Sequence, residues 1–167
     1  PTEPLINPVT FVNGGLAPIT PVSAIAIAPT NSNVIFEAHE GVSYNFYTGH
    51  KLYKSSYGVS TWIDLSLLAN SNLGNTTHWA SIRHILIDPL DENNIFLAMG
   101  DVWNAGQNRV MMSNNGGVTW TSISNGLTDF SVNYLAYHNG YDDVIYAATD
   151  YGVYRYNKNL GVNGTWE

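Results

Sequence analysis

The sequence predicts an all-β fold: a β-propeller segment of about three four-stranded antiparallel blades in an incomplete ring. Three observations carry that expectation. A Gly-turn hairpin recurs, a strand–turn–strand unit recurs beside it, and the composition suits strands with neutral polar loops. In the clearest hairpin, Arg109-Val110-Met111-Met112 enters, Ser113-Asn114-Asn115-Gly116-Gly117 reverses the chain, and Thr119-Trp120 opens the return strand. Leu52-Tyr53-Lys54 leads into a second copy at Ser55-Ser56-Tyr57-Gly58, with Thr61-Trp62 behind it. Gly152-Val153-Tyr154-Arg155-Tyr156 leads into a third, where residues 157–164 make a longer turn before Thr165-Trp166. The tryptophans lie 58 and 46 residues apart, close to the 40–50 residues of a four-stranded blade plus loop insertions.

The accompanying unit is a short apolar strand, a polar turn and a second strand. Ala24 to Pro29, His84 to Pro89 and Tyr134 to His138 are the first strands. Residues 30–33, 90–94 and 139–143 are the turns, rich in the Asn, Asp and Gly that reverse a chain. Val34 to Ala38, Ile95 to Ala98 and Val144 to Ala148 are the second strands. Each blade thus reads as strands A, B, C and D, with the Trp at the start of D. The predicted boundaries are 1–20 for the end of a preceding blade plus a Pro-rich lead-in, 21–66 for blade 1, 67–125 for blade 2, and 126–167 for blade 3, truncated in its last strand. Phe11-Val12-Asn13-Gly14-Gly15-Leu16 resembles the exit of the second D strand, Ile123 to Leu127, which places the start of the chain inside an earlier blade. Three blades do not readily close a ring, so the expected partners are the remaining blades of a parent protein or another copy.

Composition narrows the function classes. Only 11% of the 167 residues are charged, 13% are aromatic and 44% are apolar, enough to bury a core. A net charge of −7 with six Lys and Arg gives no basic cluster, so nucleic acid is not an expected partner. No apolar run is long enough for a spanning helix. Cysteine is absent, which excludes thiol chemistry and favours a bacterial source. The start at Pro1 reads as a processed end or a piece of something longer.

Ser113 to Trp120 resembles the Asp-box, or BNR, repeat, roughly Ser-x-Asp-x-Gly-x-Thr-Trp, with Asn115 in the Asp place. Ser55 to Trp62 follows it less closely, with Tyr57 in the Asp place and Val59 in the Gly place, and the last copy keeps Thr165-Trp166. The surrounding rhythm is similar to propellers of the sortilin, xyloglucanase and photosystem-assembly type and to secreted repeat proteins of Bacteroidetes. The resemblance implies a propeller and an extracellular or cell-surface location. It does not select a function, since the repeat occurs in hydrolases, receptors and assembly factors. Ser113, Asn115, Gly117, Thr119 and Trp120, with Ser55, Thr61, Trp62, Thr165 and Trp166, are expected to be structural. Ser and Asn oxygens accept turn amides, Gly permits positive φ, and Trp packs between blades.

Strand order puts the B–C and D–A loops on one face, and these are the long ones. That face collects Tyr44, Tyr47, Trp79, Trp103 and Phe130, with His39, His50, His78, Asp101 and Asn104. Aromatic rings beside neutral polar groups suit an uncharged sugar, so Trp79, Trp103, Asp101, Asn104, Tyr44, Tyr47 and His78 are the candidate ligand-binding residues. Asp88, Asp91, Asp142 and Asp143 fall in A–B turns and read as solvated. No Gly-x-Ser-x-Gly, no Cys nucleophile and no metal-ligand spacing is present, so no catalytic residue, metal or cofactor is assigned. The expected function is a non-catalytic propeller module of a larger secreted protein, a scaffold or a binding platform for carbohydrate. The alternative is a portion of a xyloglucanase-like glycoside hydrolase, in which Asp101 would be one of two carboxylates.

Overall fold

A computed structural model describes residues 10–11, 21–40, 50–56, 58, 61–67, 81–100, 108–128, 130–138, 140 and 143–167. They form twelve strands in three sheets. The first sheet holds β2 (Val22–Ala28), β3 (Asn31–His39), β4 (Lys51–Ser55) and β5 (Thr61–Asp64), paired antiparallel in that order. The second repeats it with β6 (Ser81–Ile87), β7 (Ile95–Gly100), β8 (Val110–Ser113) and β9 (Thr121–Ser122). The third holds β10 (Val132–His138), β11 (Val144–Thr149) and β12 (Gly152–Asn157). Beyond β12, Arg155 and Glu167 exchange both backbone hydrogen bonds, at 2.8 and 3.1 Å. The only helical turns among the described residues are two 3-10 segments, Leu65–Leu67 and Lys158–Asn163. The fold is therefore a three-blade segment of a propeller, with strand A innermost and D outermost.

β1 (Thr10–Phe11) pairs in parallel with Thr61-Trp62 of β5 at the outer edge of the blade 1 sheet. The outer edge of β5 has unpaired backbone groups, and β1 satisfies part of them. The other residues of 1–20 lie outside the described set.

The register is the same in all three blades. Phe36 pairs with Lys54, Phe96 with Met112 and Tyr146 with Arg155. Two pairs further along, on the same face, lie Ala38 and Leu52, Ala98 and Val110, Ala148 and Val153. Strand A carries a one-residue bulge at the same level each time, between Val22 and Ala24, Ile82 and His84, and Val132 and Tyr134. A bulge increases local twist, which stacked blades require.

The core follows from strand alternation. Ile95, Leu97 and Met99 of β7 face blade 1 and join Val34, Phe36, Ala38, Leu52, Met111 and Trp120. Phe96 and Ala98 of the same strand face blade 3 and join Val110, Leu135, Ile145, Ala147, Tyr156 and Trp166. All six residues of β7 are buried, so this antiparallel strand reads as a continuous apolar run because it is covered on both sides. Ile35, Tyr53 and Trp62 form a separate buried cluster on the opposite face of blade 1. Each D-strand Trp therefore points towards the preceding side of its blade. Trp120→Ala should cost about 3–5 kcal/mol of unfolding free energy, measured by denaturant titration. A loss below about 1 kcal/mol would contradict its place between blades 1 and 2.

Candidate functional site

Tyr44, Tyr47, His78, Trp79, Asp101, Trp103 and Asn104 all lie outside the described residues. Their neighbours on the same face are described, and they are built inward. His39 and His50 are buried. The Nε2 of His39 lies 3.1 Å from Glu37 Oε1, and its ring stands edge-on to Tyr53 at 5.2 Å. Phe130 is buried beneath Tyr151 and Tyr154, with ring centroids 5.6 and 5.3 Å away. Tyr151 is displayed to solvent.

The strand A bulges place a polar series at that end of the blades. Ser23, Arg83 and Asn133 are the extra residues. Arg83 Nη1 donates to Asn133 Oδ1 at 2.6 Å, and Asn133 Nδ2 donates to Asp150 Oδ1 at 2.8 Å. The Arg83 stem lies across the backbone of Gly100, where a Cβ would meet its Nε at 1.8 Å. Guanidinium, amide and carboxylate thus line one rim, linking blades 2 and 3. Sequence reasoning missed this rim, because a bulge has no compositional signal in strands whose alternation otherwise holds. The repeated strand alignment is the only trace it leaves.

Along the inner strands runs an open trough of about 550 Å³. Ala26, Ile27, His84, Leu86, Tyr134 and Ala136 are among its walls. His84 Nδ1 accepts the Leu135 N–H at 3.3 Å, and its ring stacks on Tyr134 with centroids 3.8 Å apart. Burial pushes the His84 pKa down, so the imidazole is neutral at pH 7. The trough is mostly aliphatic, with the His84 imidazole and the phenols of Tyr134 and Tyr137 as its polar side chains.

The hairpin turn is occupied by its own hydrogen bonds. Ser113 Oγ accepts the Gly117 N–H at 2.9 Å and the Asn115 N–H at 3.3 Å. Asn115 Oδ1 accepts the Thr119 N–H at 2.9 Å, Asn115 Nδ2 donates to Thr119 Oγ1, and Trp120 Nε1 donates to the Gly117 carbonyl at 3.0 Å. Gly117 has φ +90, and a Cβ there would meet Leu65 Cδ1 at 2.7 Å and Phe36 at 3.3 Å. Blade 1 presses so closely on this turn that Gly is needed for space as well as for conformation. Lys54 of blade 1 donates to the Gly116 carbonyl at 3.1 Å. In the shorter copy, Ser55 is buried and its hydroxyl bonds the Gly58 carbonyl, while Thr61 and the buried Trp62 open β5. Across the next interface Trp166 Nε1 donates to the Ile123 carbonyl at 2.6 Å, and Asn125 Nδ2 donates to Thr165 Oγ1 at 2.8 Å.

Asp88 corrects the reading of the A–B turns. It is fully buried, accepts the Leu90 N–H at 2.9 Å and pairs with Lys158, which also lies over the Tyr137 ring at 5.2 Å. The 3-10 segment after β12 carries Lys158 back to blade 2, a tertiary contact across 70 residues that local sequence does not reveal. Burial alone would lower the Lys158 pKa, but its hydrogen bonds to Asp88 and Tyr137 outweigh that and raise it. Asp91 is the exposed turn carboxylate expected, accepting the Asn93 N–H at 3.0 Å. Among the described residues no three His, Asp or Glu side chains converge as a metal site requires. No helix among them is long and apolar enough to cross a membrane.

No protein-family model matches the chain. No curated protein matches it either. Solved structures do. The GH74 xyloglucanase from Xanthomonas campestris superposes over 86% of this chain with a TM-score of 0.61 at 12% identity. An ancestral GH74 enzyme superposes over 87% with a TM-score of 0.59 at 27% identity. The chain spans only 21% and 18% of their respective lengths. The similarity establishes the propeller architecture for a segment about one fifth the size of those enzymes.

Two pH effects follow. The His84 pKa is depressed below 6.5, so its stabilising contribution is complete above that value and is lost as pH falls through the folded pKa. The unfolding midpoint should therefore decline more steeply on acidification in the wild type than in His84→Phe. Parallel curves would contradict the assignment. The Lys158 pKa is raised above 10.5, so its contribution is complete below that value and is lost as pH rises through the folded pKa. Lys158→Met should destabilise the protein at pH 7, and the difference should shrink in alkali.

Proposed function

We propose that the chain is a non-catalytic propeller module of a larger secreted or cell-surface protein, acting as scaffold and as a platform for carbohydrate on its B–C and D–A loop face. The observation that carries this reading is the structural use made of the described polar groups. Asp88 with Lys158 and Lys54 with Gly116 tie blades together, Lys51 with Asp64 joins neighbouring strands of blade 1, and Ser113 with Asn115 closes a turn. Catalytic carboxylates must instead face a cleft with their pKa values set apart. The rim of Arg83, Asn133 and Asp150, with Tyr151 close by, offers the donors, acceptors and ring surface that neutral sugars use. The Asp-box character of the 113–120 turn belongs to this same reading, as a blade-closing device.

A second reading, part of a GH74-like glycoside hydrolase, is favoured by the 27% identity to the ancestral GH74 enzyme. The two separate by experiment on the full-length protein. Calorimetric titration with neutral oligosaccharides should give binding that Trp79→Ala and Trp103→Ala weaken, with no release of shorter products. Product release abolished by Asp101→Asn in a still-folded protein would establish the hydrolase instead.

A further inference from the structure

In each sheet strand A stands at one edge, so its outward N–H groups have no ladder partner. At the seam between blades 2 and 3 a side chain supplies one. The Leu135 N–H of β10 points away from β11 and is accepted by His84 Nδ1 of blade 2 at 3.3 Å. The His84 ring is held there against Tyr134, with centroids 3.8 Å apart. Leu135 is fully buried, so water is not at hand to replace that acceptor. The seam between blades 1 and 2 is built without this contact. Ala24, opposite Ala38, holds the place that His84 holds opposite Ala98, and Ile85 is the counterpart of Leu135. A methyl group accepts nothing, so the device belongs to one seam alone.

We propose that His84 is an acid-sensitive latch of the seam between blades 2 and 3: protonation releases the Leu135 amide and loosens the inner edge of that seam, while the seam between blades 1 and 2 stays closed. The chemistry is that of the ring nitrogens. A neutral imidazole that accepts at Nδ1 carries its proton on Nε2, and a second proton turns Nδ1 into a donor facing another donor. The surroundings favour the neutral ring. β2 and β7 carry no titratable side chain, and β3 turns Phe36 and Ala38 toward blade 2 and Glu37 and His39 to its other face. β10 contributes Tyr134, Tyr137 and His138. On the strand of His84 itself stands Arg83, bridged through Asn133 to Asp150, and at the turn end of the seam Asp88 pairs with Lys158. None of the described carboxylates bonds the imidazole, and burial holds its pKa below 6.5. The latch is therefore closed at neutral pH and opens as pH falls through the folded value. It is independent of what the propeller binds.

Hydrogen exchange at single amides of the full-length protein, corrected for the intrinsic rate at each pH, reads the latch. Stepping from pH 7 to pH 4 should lower the protection of Leu135 by about tenfold or more, the factor that corresponds to losing one hydrogen bond. Ile85, its counterpart at the other seam, should not change. His84→Asn puts a non-titrating amide oxygen in the place of Nδ1 and should keep Leu135 protected at both pH values. His84→Phe keeps a ring against Tyr134 but accepts nothing, and should leave Leu135 exchanging fast at both. Protection of Leu135 that stays constant in the wild type would overturn the proposal, as would an equal loss at Ile85, which marks general loosening. An acid response that persists in full in His84→Asn would assign it to the Asp88–Lys158 pair instead. Wild-type protection of Leu135 in His84→Phe at pH 7 would show that the imidazole holds nothing there.

Discussion

The whole arrangement depends on covering both faces of a sheet with its neighbours. A four-stranded blade has apolar side chains above and below, and no single blade can bury both. β7 displays the solution: Ile95, Leu97 and Met99 go to one neighbour, Phe96 and Ala98 to the other. Blade 2 is thus the only one of the three with both faces closed by described blades. At about 25 cal/mol per Å² of apolar area, this stacking outweighs any single hydrogen bond in the chain. The blades on either side are half-satisfied, and their differences in exposure follow from position rather than from composition.

Directional contacts then fix how the blades stack. Hydrophobic burial is indifferent to small slips, but hydrogen bonds are not. Lys54 reaches the Gly116 carbonyl across the first interface, and Trp166 reaches the Ile123 carbonyl across the second. Asp88 and Lys158 add a charged tie between blades 2 and 3. A buried pair of this sort contributes little net stability, because desolvation offsets most of the attraction. Breaking it from one side is costly, since a fully buried carboxylate would lose its counter-charge. Its effect is to penalise misregistered packing more than to deepen the native well.

The fold was legible because repetition multiplies weak signals. Thr-Trp alone says little, but three occurrences behind an apolar strand define a blade. The Gly turn was legible too, since Ser113, Asn115 and Gly117 are demanded by φ values and orphan amides that are local in sequence. Non-local features were not legible. Asp88 looked like any turn aspartate until Lys158 was brought to it from 70 residues away. The bulges at Ser23, Arg83 and Asn133 left no mark in composition, and the pairing of β1 with β5 is made across 51 residues. The candidate loop face was read from loop length and aromatic content, and its described part is a set of buried side chains plus a polar rim.

The rim and the trough have different physical standing as places for chemistry. The trough walls are strand A side chains whose backbone is locked into the sheets, so its shape is rigid but its chemistry is poor: aliphatic groups around one neutral His84 stacked on Tyr134. The rim is richer, because a bulge residue is turned out of the regular alternation and is released from packing duty. That is why a charged Arg83 can occur in an otherwise apolar inner strand, held across Gly100 and anchored to Asn133. Its partner Asp150 sits at the tight β11–β12 turn, where Thr149 Oγ1 accepts the Tyr151 N–H and fixes the turn. The rim therefore combines polar groups with rigid mounting, and a recognition surface needs both if binding is not to be spent on ordering side chains.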